Sequence, residues 1–230
     1  MISVLMPYYN PREVSEKIWR TCIESILSQS YKEFVLIAVD DFSTDGSQDI
    51  LREYKDSRIK HIRNSIRIGL TRSLNSALSM ANSIYLARHD SDDFSDNLRF
   101  EKQVDFLTKH LDISVVGSHA NVYDLALNKY DIQKKKLSHS DIYAEARKAN
   151  PMLHGSVMMR TQSLRDVGGY DTSFVVCQDY DLWSRMLRKG YKFANIDEYL
   201  YNRVSHQNCA TKTNRIYRKS ALDRIRKSWR

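Results

Sequence analysis

The chain has little glycine, little proline and little cysteine: seven, three and three among 230 residues. So few glycines and prolines exclude a Gly/Ser/Pro-rich linker or low-complexity segment, and no internal repeat is visible. Cys22, Cys177 and Cys209 are odd in number and lack paired spacing. That argues against a disulfide framework or a zinc site and fits a reducing compartment. No apolar run approaches the roughly 18 residues that a membrane-spanning helix needs. The opening MISVLMPYYN has no basic region before its apolar stretch, so it reads as a first strand and not as a signal peptide. Neither a dinucleotide fingerprint nor a Walker-type phosphate loop occurs.

What is present is an ordinary globular composition, 42% hydrophobic and 28% charged, in a chain long enough for one substantial α/β core. The net charge of +8 is uneven, because residues 211–230 carry eight basic side chains and one acid, leaving the body almost neutral. A nucleic-acid binder would spread basic residues over one face of the fold, so no nucleic-acid partner is expected. Within the tail, Ala221, Leu222, Ile225 and Trp229 recur near helical spacing. A basic amphipathic helix at 211–230 suits the surface of an anionic membrane. The alternative is a helix packed on the domain with a solvated basic face.

Short continuous apolar runs at Ser3–Met6 and Phe34–Val39 predict buried parallel strands. Ile18, Trp19, Cys22, Ile23, Ile26 and Leu27 predict a helix between them. A second helix is expected from an N-cap near Ser43-Thr44-Asp45 to about Tyr54. Strands at 58–62 and 84–88 and helices at 69–80 and 97–110 continue the alternation, which argues for a doubly wound sheet. The pattern loosens after a strand at 113–117. Residues 121–137, with the run Lys134-Lys135-Lys136, read as a solvated loop. A short helix at 138–149, a strand at 155–160, a Gly168-Gly169 turn and a helix at 179–188 follow.

Ligands of an open parallel sheet bind outside the carboxyl ends of its strands. Three such ends carry polar chemistry here: Pro7-Tyr8-Tyr9-Asn10, Asp40-Asp41-Phe42-Ser43 and Asp90-Ser91-Asp92-Asp93. Crowded carboxylates become favourable around a divalent cation, and hard oxygen ligands suit magnesium or manganese. Arg88 and His89 precede the third cluster, and either could pair with a carboxylate to relieve repulsion.

Together with QDYDLW, these motifs resemble a family 2 glycosyltransferase of the GT-A fold. The resemblance runs from about residue 2 to 210, through SVLMPYYN, VDDFSTDGS, GLTRSLNSAL, YLARHDSDDF, NLRFEKQVDFL, HGSVMMR, VGGYD and QDYDLWSRM in order. It implies a mostly parallel central sheet flanked by helices, with a nucleotide-sugar-binding half at 1–110 and a smaller acceptor-binding half at 111–210. It implies that Pro7 and Tyr9 flank the nucleotide base, that Asp41 accepts a hydrogen bond from it, and that Asp90 lies near the donor's ribose or sugar. Asp92 would ligate the metal, with late His206 as a second ligand in the manner of some members. Asp93 would steady the loop or cap the next helix. Asp179 matches the general base, and Trp183 lies either near the acceptor pocket or in the core. His154 reads as structural before phosphate-facing.

The implied activity is a metal-dependent, inverting, non-processive transfer from a nucleotide-diphosphate sugar, with uracil the expected base. The expected acceptor is a saccharide or lipid-linked glycan. The expected location is cytoplasmic, with peripheral contact at the cytoplasmic membrane face through the tail. Gln178 stands where many members carry a glutamate, and Phe42 where glycine often follows the acidic pair. The QxxRW signature of processive synthases is absent. A catalytically silent relative and a nucleotidyltransferase are the rivals. The latter would want a glycine-rich basic loop after the first strand, and MPYYNPRE supplies none.

Overall fold

In the computed structural model, which describes residues 1–207 and 215–229, the N-terminal apolar stretch forms β1 (Ile2–Tyr8), with every residue buried. A strand covered on both faces belongs inside a parallel sheet flanked by helices. Its side chains divide by the two-residue period: Val4 and Met6 join one core beneath the sheet, and Leu5 joins the other. β2 (Phe34–Asp40), β3 (Ile59–Arg63) and β4 (Tyr85–Arg88) complete a parallel unit in the order β3-β2-β1-β4. Between them run α1 (Pro11–Val14), α2 (Glu16–Leu27), α3 (Ser47–Glu53) and α4 (Leu70–Met80). Helix α2 starts where the Ser15 hydroxyl accepts from Ile18 N, and it buries the stripe Ile18, Trp19, Cys22, Ile23 and Ile26.

α3 begins later than its Ser-Thr-Asp sequence predicts. Its N-cap is Gly46 at φ 81°, and Asp45 spends one carboxylate oxygen on Ser47 N (3.0 Å). The other oxygen accepts from Arg12 N (2.8 Å) and Glu13 N (3.2 Å) in the first turn of α1. One carboxylate thus ties the loops after β1 and β2 together.

The second half contributes β5 (Phe94–Ser95), α5 (Arg99–Lys109), β6 (Ile113–Tyr123), β7 (Lys129–Gln133) and α6 (His139–Ala146). A 3-10 turn (His154–Ser156), β8 (Met158–Arg160), α7 (Thr161–Asp166), α8 (Gln178–Arg188) and β9 (Lys192–Val204) follow. The sheet continues through β4-β8-β6-β9-β5, with β7 on β6, so one sheet runs through both halves. Residues 121–137 are therefore a correction: they hold the end of β6 and all of β7, paired as an antiparallel hairpin. The predicted strand at 155–160 shrinks to three residues behind the 3-10 turn. β9, for which the sequence pattern predicted nothing, pairs parallel with β6 along its whole length, with register shifts near Ser118 and His119.

The described part of the tail forms α9 (Arg215–Lys227). Its apolar face is used on the domain: Ile225 is buried against Phe174 and Tyr180, and Trp229 Nε1 donates to Ser184 Oγ at 3.1 Å. Burying a side chain of that size stabilises by about 1.5–3 kcal/mol. Arg224 lies 4.2 Å from the centre of the Phe174 ring and pairs with Asp171. Of the two readings of the tail, packing on the domain is the one this face adopts. Among the described residues no helix is long and apolar enough to cross a membrane. Cys209 lies outside the described residues.

Candidate active site

β1 outruns β4. Its pairing with β4 ends at Leu5–Arg88, whereas its pairing with β2 continues to Tyr8–Asp40. Pro7, which has no N–H to donate, therefore sits in a central strand at the point where the neighbour on that side has stopped. The polar residues expected outside the carboxyl ends of parallel strands gather at this edge, at the tips of β2, β1 and β4. Two strand spacings, about 10 Å, separate the first from the last.

At the tip of β1, Tyr9 is 39% exposed and the Arg67 guanidinium lies 3.8 Å from its ring centre. Pro7 is buried beside it, in register with Val39. At the tip of β2, Asp41 is buried and holds the loop before α4: Oδ1 accepts from Asn64 Nδ2 (2.9 Å) and Ile68 N (2.8 Å), and Oδ2 from Gly69 N (2.8 Å). The segment carrying Arg67 is thereby fixed over Tyr9. Arg67 was not singled out by sequence, where SIRIGL looks like an ordinary connection.

The acidic turn after β4 is held by cations and backbone. Buried Arg88 donates from Nη2 to Asp90 Oδ1 at 2.5 Å, so the arginine does relieve the crowding. His89 does not: its ring is buried between the Asp90 carbonyl (2.8 Å) and Ser95 Oγ (3.0 Å), and burial pushes its pKa well down. Arg99 lies fully buried beneath the turn, donating to the carbonyls of Arg88 (2.8 Å) and Val157 (3.2 Å) and to Ser95 Oγ (3.0 Å). Burial draws its pKa down to about 10. Asp93 accepts from Val204 N at 2.8 Å and so locks the turn to the end of β9, the loop-steadying role of the two foreseen for it. Burial, then repulsion from Asp92 and Asp90, pushes its pKa well up. Asp90 is also raised by burial, against the pull of Arg88.

Asp92 is partly exposed, with 29% of its side chain accessible against 34% for Asp90, and its Oδ2 lies 2.7 Å from His206 Nε2. The two residues expected to share a metal are therefore in contact. Among the described residues no group of three or more His, Cys, Asp or Glu side chains is arranged to hold a metal ion. One carboxylate and one imidazole still fit a magnesium or manganese ion whose remaining ligands are substrate phosphate and water, the usual condition of such sites.

Gly155 marks the floor. A Cβ there would stand 2.2 Å from Tyr201 Oη and 2.7 Å from Asp90 Oδ2, so a side chain cannot be accommodated without moving the acidic turn. Tyr201 Oη itself accepts from Asp90 N at 3.2 Å.

Asp179 comes from the other half, in the first turn of α8, half-buried. Burial raises its pKa, Asn150 and the amides of the first turn oppose this, and the charge of Asp90 adds to the rise. The two carboxylates therefore share one electrostatic environment. Its surroundings are built by Tyr170, whose backbone N–H and C=O are both held by the Asn75 side chain (3.0 and 2.8 Å) and whose hydroxyl meets His154 Nε2 at 2.9 Å. His154 is buried and neutral, a structural histidine. Trp183 is fully buried, edge-on to His154 and Phe193, and its Nε1 has no hydrogen-bond partner among the described residues. It forms the wall behind His154 and takes the core position of its two readings. Lys135 departs from the solvated-loop expectation: it is half-buried, burial lowers its pKa, and the charges of Glu145 and Asp179 oppose that.

A parallel half with an acidic turn at its strand tips, joined to a mixed half that sends one carboxylate to the same edge, has the architecture of GT-A transferases. Residues 3–168 match the profile of Glycosyl transferase family 2, and the chain belongs to that family. It is 39% identical over 209 residues to EpsE of Bacillus subtilis (strain 168), a glycosyltransferase by name, covering 87% of this chain and 71% of that one. It is 30% identical over 200 residues to WfaP of Escherichia coli, covering 85% and 73%; that protein's name is UDP-Glc:alpha-D-GlcNAc-diphosphoundecaprenol beta-1,3-glucosyltransferase. Among solved structures, S. aureus TarS 1-349 in complex with UDP-GlcNAc superposes with a TM-score of 0.76 at 18% identity, over 98% of this chain and 70% of that one. The mannosyltransferase PcManGT of Pyrobaculum calidifontis, in complex with GDP-Man and Mn2+, gives 0.72 at 18%, over 97% and 62%. The fold is GT-A, and the protein is a glycosyltransferase.

Proposed function

We propose that this glycosyltransferase moves a single sugar from a UDP-sugar to a saccharide or lipid-linked glycan of a growing polysaccharide, with inversion. The observation that carries the reading is that acidic groups from both halves are built into one frame: a Cβ on Gly155 would stand 2.7 Å from Asp90 Oδ2, and the neighbouring His154 meets the Tyr170 hydroxyl at 2.9 Å, in the connection that leads to Asp179. Tyr9, Pro7 and Arg67 frame the base, and Asp41 holds the loop that closes over it while keeping acceptor capacity on Oδ2. Asp90, oriented by Arg88, faces the donor's ribose or sugar. Asp92 and His206 would hold a divalent cation, which when bound neutralises charge building on the departing diphosphate.

Asp179 takes the proton of the acceptor hydroxyl, which is a poor nucleophile until a carboxylate accepts that proton in the transition state. Attack from the base's side, opposite the leaving group, yields a single displacement with inversion. A lipid-linked acceptor is supported by the name of the WfaP relative. With such an acceptor the enzyme would work at the cytoplasmic face of a membrane. Since the apolar face of α9 is used on the domain, contact with an anionic surface would run through its exposed cations, such as Lys219 and Lys227. Replacing both with glutamine should weaken sedimentation with anionic vesicles at low salt, and unchanged sedimentation would remove that contact.

The test of the whole reading is a panel of UDP-, GDP- and dTDP-sugars incubated with manganese, scored for nucleoside diphosphate release with and without undecaprenyl-diphosphate-linked sugars. Acceptor-stimulated release from a UDP-sugar is the expected result. Release from none of them would refute it.

A further inference from the structure

We propose that Asn150 is the positioning residue for Asp179: it holds Oδ2 of the carboxylate and thereby presents Oδ1 to the acceptor hydroxyl. This rests on the reading of Asp179 as the base. Asn150 Nδ2 lies 2.6 Å from Asp179 Oδ2. An ionised carboxylate only accepts, so the NH2 end of the amide must face it. The assignment agrees with the other end, where Asn150 Oδ1 accepts from Met152 N at 3.4 Å. Pro151 follows directly and biases the Asn150 backbone towards the extended region.

The segment is anchored on both sides. Tyr180, the residue after the base, donates to Ala146 O at 2.8 Å, and Arg226 of α9 donates to Lys148 O at 3.0 and 3.2 Å. Asn150 thus moves with α8, and its amide reaches Asp179 in a fixed relation.

The chemistry of an amide matters here. A guanidinium in the same place, such as Arg88 provides for Asp90, favours the ionised carboxylate by 1–3 pKa units and weakens it as a base. A neutral donor orients one oxygen at a loss of basicity near the lower end of that range. The charged and titratable groups around Asp179 are Asp90 after β4, Lys135 after β7, and Tyr170 and Cys177 in the connection before α8. None of them is altered by changing Asn150.

The test uses the full chain without substrate. The Asp179 carboxyl carbon is titrated by NMR, assigned by its loss in Asp179→Asn, in wild type and in Asn150→Leu, which keeps the shape and removes the donor. The midpoint should rise by about one unit, since a hydrogen bond to the charged form is lost. The χ1 couplings of Asp179 should change from single-rotamer to averaged values. Asn150→Ala, which also removes bulk, serves if the leucine variant does not fold. An unmoved midpoint, or single-rotamer couplings in a folded variant, overturns the proposal. The reading of Asp179 as base fails on a different result: transfer surviving in Asp179→Asn.

Discussion

The acidic turn after β4 and the carboxylate that opens α8 are the same functional group held in different ways. Asp90 is gripped by a buried arginine, Asp93 by the Val204 amide, and Asp92 by His206, with Arg99 buried below all three. Asp179 has a neutral amide and a partly buried seat. The first arrangement fixes negative charge in space, which is what binding a cation and a diphosphate requires. Burial disfavours the ionised form of Asp90, Asp93 and Asp179 alike. The cations Arg88 and Arg99 oppose this at Asp90, whereas only neutral amides oppose it at Asp179, as the proposed proton uptake there would require. The proposed mechanism needs the two kept apart at one edge of the sheet.

The strongest way to break this contrast is Asp179→Asn, which should lower the transfer rate by about 10²–10⁴-fold, the range of general-base contributions. The loss should appear in turnover number in a steady-state assay. Next comes Gly155→Ala, which presses a methyl against Tyr201 and Asp90. Overpacking of this kind costs about 1–3 kcal/mol, read as a lower urea midpoint, and it should damage the acidic turn.

The smallest effect concerns pH. Burial raises the pKa of Asp179 above its unfolded value, so its contribution to stability is fully present below the unfolded pKa. It is lost as pH rises through the raised, folded value. Asp179→Asn should therefore unfold at the same or higher urea concentration than wild type at pH 7, with the gap closing in acid. The acid limb of kcat/KM should lie above the ordinary aspartate value of about 3.9. A neutral-pH destabilisation by Asp179→Asn would contradict the assignment of a desolvated base.

Much of this contrast was legible in the sequence, and the reasons differ by element. The strands β1, β2 and β4 are continuous apolar runs ending in polar residues, so both the sheet edge and the carboxylates on it could be read directly. The asparagine in GLTRSLNSAL and the glycine in HGSVMMR were visible as motifs, although only the packing shows that Asn75 holds Tyr170 and that Gly155 makes room for Asp90. β9 was invisible because its burial does not alternate: Asp197 and Glu198 interrupt it where its register with β6 shifts. Arg88 was foreseen as a partner of the turn, but Arg99 was hidden on a helix that looks amphipathic and ordinary. Asn150 follows a short helix and carries no periodic signal; its role exists only through the docking of 146–150 on α8.

The division of labour is tested most directly by calorimetry of UDP binding with and without manganese, for wild type, Asp92→Asn and Asp179→Asn. The account predicts that manganese tightens UDP binding to wild type and to Asp179→Asn alike and does so far less for Asp92→Asn. Equal loss of the manganese effect in both variants would contradict it.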